Sequence, residues 1–432
     1  MRHIEHFLRR DNRQILYCLF LWSAVFILYL TLSGPNPSVS LEQNPSVDIQ
    51  SVPTTPHHNV TALPHHHRNV YSNEDRLRYY MGKWYDAEPN ASDLAPFPPT
   101  NPDRPDKMFK VPFKAPFIQN AIQNQTALPL ESYWKPALDL MKCTKSNTFQ
   151  CRPDDEEKEE MFAWFGAGDR VFDEAHYAPY PLMSKVRRIA DHTENGVILL
   201  RALNEERHWN LVQNANVRGD IEWNKKRDSA LWRGSCTGYI SMWRDGPMLR
   251  ESFVMQYRRW NHRNGLDIDV SFSDRNDYHF RLEEASNFTK WTLRRTGKNV
   301  ERTVREQLKY KYLVALEGND VSSSLKWMML SNSCVFMPTP TKETWLMEGL
   351  LRPFVHYVPL VFDEETRRWD LEQKLTFCME NERKCREIAQ NGKRWMLRHR
   401  FTDKGNEREM QKRILDVYCQ NMLKSLRKSR GQ

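Results

Sequence analysis

Glu317-Gly318-Asn319-Asp320 interrupts an apolar run, Tyr312 to Leu316, and is followed by Val321 and three serines, Ser322, Ser323 and Ser324. So short and unbroken a run reads as a strand covered on both faces. Leu325, Met328 and Met329 then recur at helical spacing, with Ser322 or Ser323 as the N-cap. Cys334 to Met337 forms a second apolar run, which makes the stretch one strand-helix-strand unit. In open parallel sheets the loop between strand end and helix start collects ligands, and its free N–H groups favour phosphate. Gly318, Asn319, Asp320, Ser322 and Ser323 are therefore candidate ligand contacts.

Three other stretches carry usable chemistry. Ala230 to Trp232 ends a strand, after which Gly234 allows close backbone approach and Arg233 offers a forked cation for phosphate oxygens, with Ser235 beside it. The apolar run Met161 to Gly168 ends in Asp169, ahead of a loop with Tyr177, Pro179, Tyr180 and Pro181. An acid at a strand end facing a cleft is placed for general-base work, although an aspartate after glycine also serves as a turn residue; Asp173 is the second candidate. Asn195-Gly196 turns into a strand from Val197 to Leu200, and Arg207 and His208 follow at a cleft or on a helix surface. Asp267-Ile268-Asp269 has the form of a metal-binding pair, but its alternation with Ile268 and Val270 reads as an edge strand, so no metal site is assigned.

These words together resemble glycosyltransferase family 90, which includes protein O-glucosyltransferases and lipopolysaccharide-modifying transferases. The resemblance rests on KYKYL, LEGND, LKWMMLSNS and PFVHYVPL between Lys309 and Leu360, on Leu203-Asn204 with Arg207-His208, and on Trp232-Arg233-Gly234-Ser235. The GND wording is nearest to the lipopolysaccharide branch. It implies two Rossmann-like domains facing a cleft (the GT-B arrangement), a UDP-sugar donor, and inverting transfer without a metal or other cofactor. Asp169 matches the family's catalytic aspartate. Arg250, in Leu249-Arg250-Glu251, best matches the arginine that contacts the donor diphosphate, with Arg244 second. Cys236 and Ser324 depart from the pattern where the glucosyltransferases have arginines; Lys326 would then supply charge near the helix start. Glu348, in ETWLMEG, is a candidate for a ribose or sugar hydroxyl.

The chain around these motifs has 432 residues and a net charge of +9, enough for two domains and compatible with an anionic partner. Ile15 to Leu32 is uncharged, preceded by Arg9, Arg10 and Arg13 and followed by no Lys or Arg until Arg68, which reads as a type II signal anchor with the bulk of the chain in the lumen; a cleaved signal peptide is the rival. Residues 33–106, rich in Pro, Asn, Ser and His, read as an extended stem whose second half, from Arg76, has the aromatic content to dock on the head. The sequons at Asn59, Asn90, Asn124 and Asn287 all fall on the luminal side. Cys143 and Cys151 are the expected disulfide, while Cys378 and Cys385 read as core positions on successive helices.

The expected architecture is thus an α/β protein with a cytosolic tail (1–14), an anchor (15–32), a stem (33–106), an acceptor-side domain (107–224), a nucleotide-side domain (225–399) and a final amphipathic helix (400–432). The expected function is a Golgi or endoplasmic-reticulum glycosyltransferase moving a hexose or pentose, glucose or xylose first, from a UDP-sugar to a glycan or glycoprotein hydroxyl. A membrane-tethered glycan-binding protein that keeps the fold without transfer is the alternative. Luminal topology removes nucleic acid as a partner.

Overall fold

The computed structural model describes residues 71–86, 108–113, 139–141, 149–166, 181–189, 196–210, 212, 220–235, 237–238, 249–258, 260, 263–274 and 300–431. Asp169, the sequons, Cys143, Cys236 and Ile15 to Leu32 lie outside them. Among the described residues no helix is long and apolar enough to cross a membrane.

The first described element is helix α1 (Asn73–Met81), opened by a capping box in which Ser72 and Asp75 satisfy each other's backbone N–H groups. Sequence composition places this segment in the stem, with aromatic residues from Arg76 on suited to docking on the head; in the structure Leu77, Tyr79, Tyr80 and Met81 are packed as core residues. Strand β1 (Met108–Pro112), helix α2 (Asp155–Glu160) and strands β2 (Phe162–Gly166), β3 (Leu182–Ser184), β4 (Arg187–Arg188) and β5 (Val197–Leu199) follow. They form a four-stranded sheet in the order β1-β2-β3-β5, parallel except for β1; β4 stands apart from it.

The second sheet comprises β6 (Arg227–Ser235), β7 (Asp267–Asp274), β8 (Tyr310–Val314), β9 (Cys334–Met337) and, past the short strand β10 (Lys342–Glu343), β11 (Val358–Pro359). Helices α3 (Leu249–Tyr257), α4 (Val300–Gln307) and α5 (Leu325–Leu330) lie in the connections. All five strands run parallel in the order β11-β9-β8-β6-β7. Both faces are buried, as the unbroken apolar runs require: Ala230, Trp232, Tyr312, Val314, Cys334 and Phe336 pack into one core, and Leu231, Leu313, Val335 and Met337 into the other. Helices α6 (Leu371–Glu380), α7 (Glu382–Arg398) and α8 (Lys404–Ser429) complete the chain.

Helix α8 returns to the first sheet, where Ile414, Tyr418 and Met422 join the core that holds Phe165 and Ile198. Its Glu407 receives Arg76 at 2.7 Å and Arg201 at 3.0 Å, all three groups being buried, and also accepts from the Trp345 Nε1–H. Removing one member would leave an uncompensated buried charge, so this triad fixes the relation of α1, α8 and the segment after β5.

Cys151 pairs with Cys419, not with Cys143, and Cys378 pairs with Cys385. The expected local loop is replaced by a link between the segment before α2 and α8, spanning 268 positions. Cys378 and Cys385 keep the buried helix positions read from the sequence and are bonded to each other as well.

Two expected outcomes follow. A Cys151→Ser/Cys419→Ser protein loses about 2–5 kcal/mol of unfolding free energy in urea titration, since its unfolded chain is no longer closed into a long loop. Burial holds His356 and His399 down to about 4 from their usual 6.5, helped at His356 by Arg352 and His399. The unfolded chain therefore binds more protons than the folded one between these values, and stability is lost as pH falls from about 6.5 towards 4. In the folded chain neutral His399 accepts from Tyr71 N at 3.1 Å and meets Trp395 O at 2.8 Å. Thermal midpoints measured across that window should flatten partly in His399→Gln.

Candidate active site

The strand order reverses between β6 and β8: the chain leaves β6 towards β7 on one side and leaves β8 towards β9 on the other. The two outgoing loops diverge, and a crevice opens at the carboxyl ends of these strands, the place where open α/β sheets bind ligands. The residues meeting there are Ser235, Thr237 and Gly238 after β6, and Leu316 to Asp320 after β8.

Arg250, in the first turn of α3, ties the two loops together. Its Nε donates to Glu317 O at 3.0 Å, one terminal nitrogen to Ser235 O at 3.0 Å and Thr237 Oγ1 at 2.6 Å, and the other to Leu316 O at 2.9 Å. Strand-end carbonyls thus receive a cation's donors while the guanidinium charge stays at the crevice. Gly318 is required by this packing, because a Cβ there would lie 2.8 Å from the Arg250 guanidinium carbon and from Thr237 Oγ1. Gly238, at φ +93°, lies against the Gly318 backbone, and its N–H donates to Asn319 Oδ1 at 2.9 Å. The Glu317 carboxylate turns the other way, accepting from Thr341 N and Oγ1 and from Lys342 N and Nζ. Burial pushes the Glu251 carboxyl, next to Arg250, upward.

Several sequence-predicted contacts are placed differently. Arg233 does not face the crevice: its guanidinium binds Asp269 Oδ2 at 2.6 Å and the carbonyls of Trp232 and Asp269. Asp269 lies near the start of the edge strand β7, away from the strand ends, and its carboxylate is committed to this pair. Gly234 makes room for a side chain of its own strand, since a Cβ would meet the Trp232 indole at 2.7 Å. Helix α5 begins at Leu325 after Ser324, which makes no side-chain cap bond, so neither Ser322 nor Ser323 caps it; Ser322 is buried and Ser323 exposed. Lys326 is fully buried and paired with Glu348 at 3.0 Å, and Glu348 also accepts from Thr344 N and Oγ1. His208 is buried on a π-helical turn, Glu205–Trp209, which also carries Arg207.

Beside the corner, Ala315, Ser322, Met337, Lys342 and Glu348 line a cavity of about 20 Å3, the size of a water and far below that of a sugar. The sequence reading missed Thr237, Gly238 and Lys185. A glycine three residues beyond a strand was the legible sign for Gly238. Nothing local marked Lys185, which lies just past β3, is buried, and meets Asp320 at 2.5 Å.

Taken together, sheet and crevice give a mostly parallel α/β protein with a candidate ligand site at a strand-order reversal. Residues 205–404 match the family model described as glycosyl transferase family 90, and this segment, which contains the whole crevice except Lys185, is of that family. Over 94 residues the chain is 45% identical to O-glucosyltransferase LpsA of Dichelobacter nodosus, covering 22% of this chain and 28% of that protein. It is 28% identical over 189 residues to O-glucosyltransferase rumi of Drosophila pseudoobscura pseudoobscura, 41% of this chain and 38% of that one. Uncharacterized protein 179R of Invertebrate iridescent virus 6 is 30% identical over 193 residues, 39% of this chain and 15% of the viral one. The matched stretches thus span less than two fifths of each relative.

Gly318→Ala should displace Arg250 and part the two loops. A loss of about 1–3 kcal/mol in chemical denaturation is expected, as for overpacking.

Proposed function

We propose that the chain is a glycosyltransferase that moves a sugar, glucose or xylose first, from a UDP-sugar to a hydroxyl of a glycan or glycoprotein. The observation that carries this reading is the crevice at the β6/β8 reversal lying inside the family 90 segment. The printed names of two relatives, both O-glucosyltransferases, favour glucose. The two parallel sheets would be the halves of a GT-B arrangement. Asp169, three residues beyond the carboxyl end of β2, would be the base. It takes the proton from the acceptor hydroxyl as that oxygen bonds to the anomeric carbon, and the bond from that carbon to the diphosphate oxygen breaks, with inversion. Negative charge then grows on the departing UDP. Arg250 answers it through its rigidly held charge rather than through direct hydrogen bonds. Transfer without a metal is part of the proposal, supported by the commitment of Asp269 to Arg233.

The same head would work in the lumen of the Golgi or endoplasmic reticulum behind the Ile15 to Leu32 anchor. Two disulfides fit an oxidising compartment. One observation favours the second reading, a glycan-binding protein without transfer: Arg233 and Arg250 both give their hydrogen bonds to the protein itself.

Titrating the head with a panel of UDP-sugars, with and without EDTA, tests the proposal. Saturable, EDTA-insensitive binding that prefers one sugar, with transfer to an acceptor, supports it; no binding under either condition favours the second reading, and binding that requires manganese overturns the metal-free scheme. Asp169→Asn should lower transfer by about 10²–10⁴-fold while leaving UDP affinity within about threefold, because general-base loss acts on the reaction and not on donor binding.

A further inference from the structure

Two charged residues link the sheets where their carboxyl ends meet. Lys185 follows β3, the strand beside β2, with Met183 paired to Phe165. Its Nζ lies 2.5 Å from Asp320 Oδ2, at the end of the corner that Arg250 clamps. Lys185 is 1% exposed and Asp320 7%. Nearby, β4 pairs antiparallel with β10, Ile189 N donates to Thr341 O at 3.0 Å, and Arg187 meets Glu343 at 2.7 Å with both side chains buried. Tyr79 donates to the same Glu343, so α1 braces this line. The line also reaches the corner at Glu317, which accepts from Thr341 and Lys342, while the Lys185 pair is the contact made at Asp320.

We propose that Lys185 is a positioning residue: through Asp320 it fixes the donor-side corner relative to the strand pair that leads to Asp169. This rests on the transferase reading. Direct displacement needs the attacking oxygen, the anomeric carbon and the leaving oxygen in line, and a misplacement of about 1 Å costs on the order of 10²-fold in rate. Backbone pairing of β4 with β10 holds the halves together and ties the start of the corner through Glu317, but the far end of the corner, at Asp320, is tied to the first sheet through Lys185. A buried ion pair is costly to form and so contributes little net stability, yet breaking one side leaves a buried charge that must move to find water. Without Lys185 the Asp320 carboxylate would swing outward and carry the corner with it.

Lys185→Met, Lys185→Arg, Asp320→Asn and the Lys185→Met/Asp320→Asn double variant test this in the full chain. The readouts are UDP-sugar turnover, UDP affinity by calorimetry, and hydrogen exchange of residues 182–189 and 316–321. Lys185→Met and Asp320→Asn should each lower kcat about tenfold or more, with a clearly smaller loss of UDP affinity. Exchange should rise in both segments, Lys185→Arg should recover part of kcat, and the double variant should be no worse than the poorer single one. The proposal is overturned if kcat stays within twofold, if UDP affinity falls in step with kcat, which would make Lys185 a donor contact, or if faster exchange is confined to residues 182–189. Should the wild-type chain turn over no donor, the transferase reading fails. The exchange measurement still judges the coupling, supporting it if both segments respond and overturning it if one does.

Discussion

The structure depends on one arginine meeting a set of carbonyls. Parallel strands end with C=O groups aimed out of the sheet, and at a strand-order reversal the departing loops cannot satisfy them. Arg250 brings a planar fork of donors from the start of α3 and closes this deficit at Ser235, Leu316 and Glu317 together. Once it is there, Gly318 has no room for a side chain, and Gly238 must adopt a left-handed backbone to pass beside it. Two glycines and a threonine are thus consequences of one cation's position.

That constraint separates holding the site from using it. Arg233 keeps the edge strand in place through Asp269, and Lys326 is held in the interior by Glu348. Each forms a buried or half-buried ion pair, an arrangement that specifies geometry more than it adds stability. The Arg250 charge is thereby held in a fixed place beside the crevice. The two sheets share a core through α8, so the framework is continuous from α1 to the end of the chain.

Much of the second sheet was legible because its strands are buried on both faces. Tyr312 to Leu316 and Cys334 to Met337 are apolar without alternation, and helical spacing marked the start of α5 at Leu325. Of the crevice loops, the Glu317 to Asp320 corner was legible through its glycine, whereas Thr237 and Gly238 were not picked out. Side-chain destinations were not: nothing local in Trp232-Arg233-Gly234-Ser235 says that the arginine reaches Asp269, thirty-six positions on, or that the glycine yields to an indole. The Cys151 link to Cys419 was hidden for the same reason, since proximity along the chain favoured Cys143. The docking of helix α1 was legible in its aromatic residues, but its partners were not, since Glu407 and Trp345 lie more than 250 residues away along the chain.

The central claim is that the donor diphosphate lies at the β6/β8 reversal. A crystal structure of the head with UDP, grown in EDTA, tests it most directly. The account predicts diphosphate density between the loop of Ser235 to Gly238 and the corner of Gly318 to Ser322, with Arg250 still bonded to its carbonyls. Density beside Asp267 and Asp269, or a crevice left empty at saturating UDP, would contradict it.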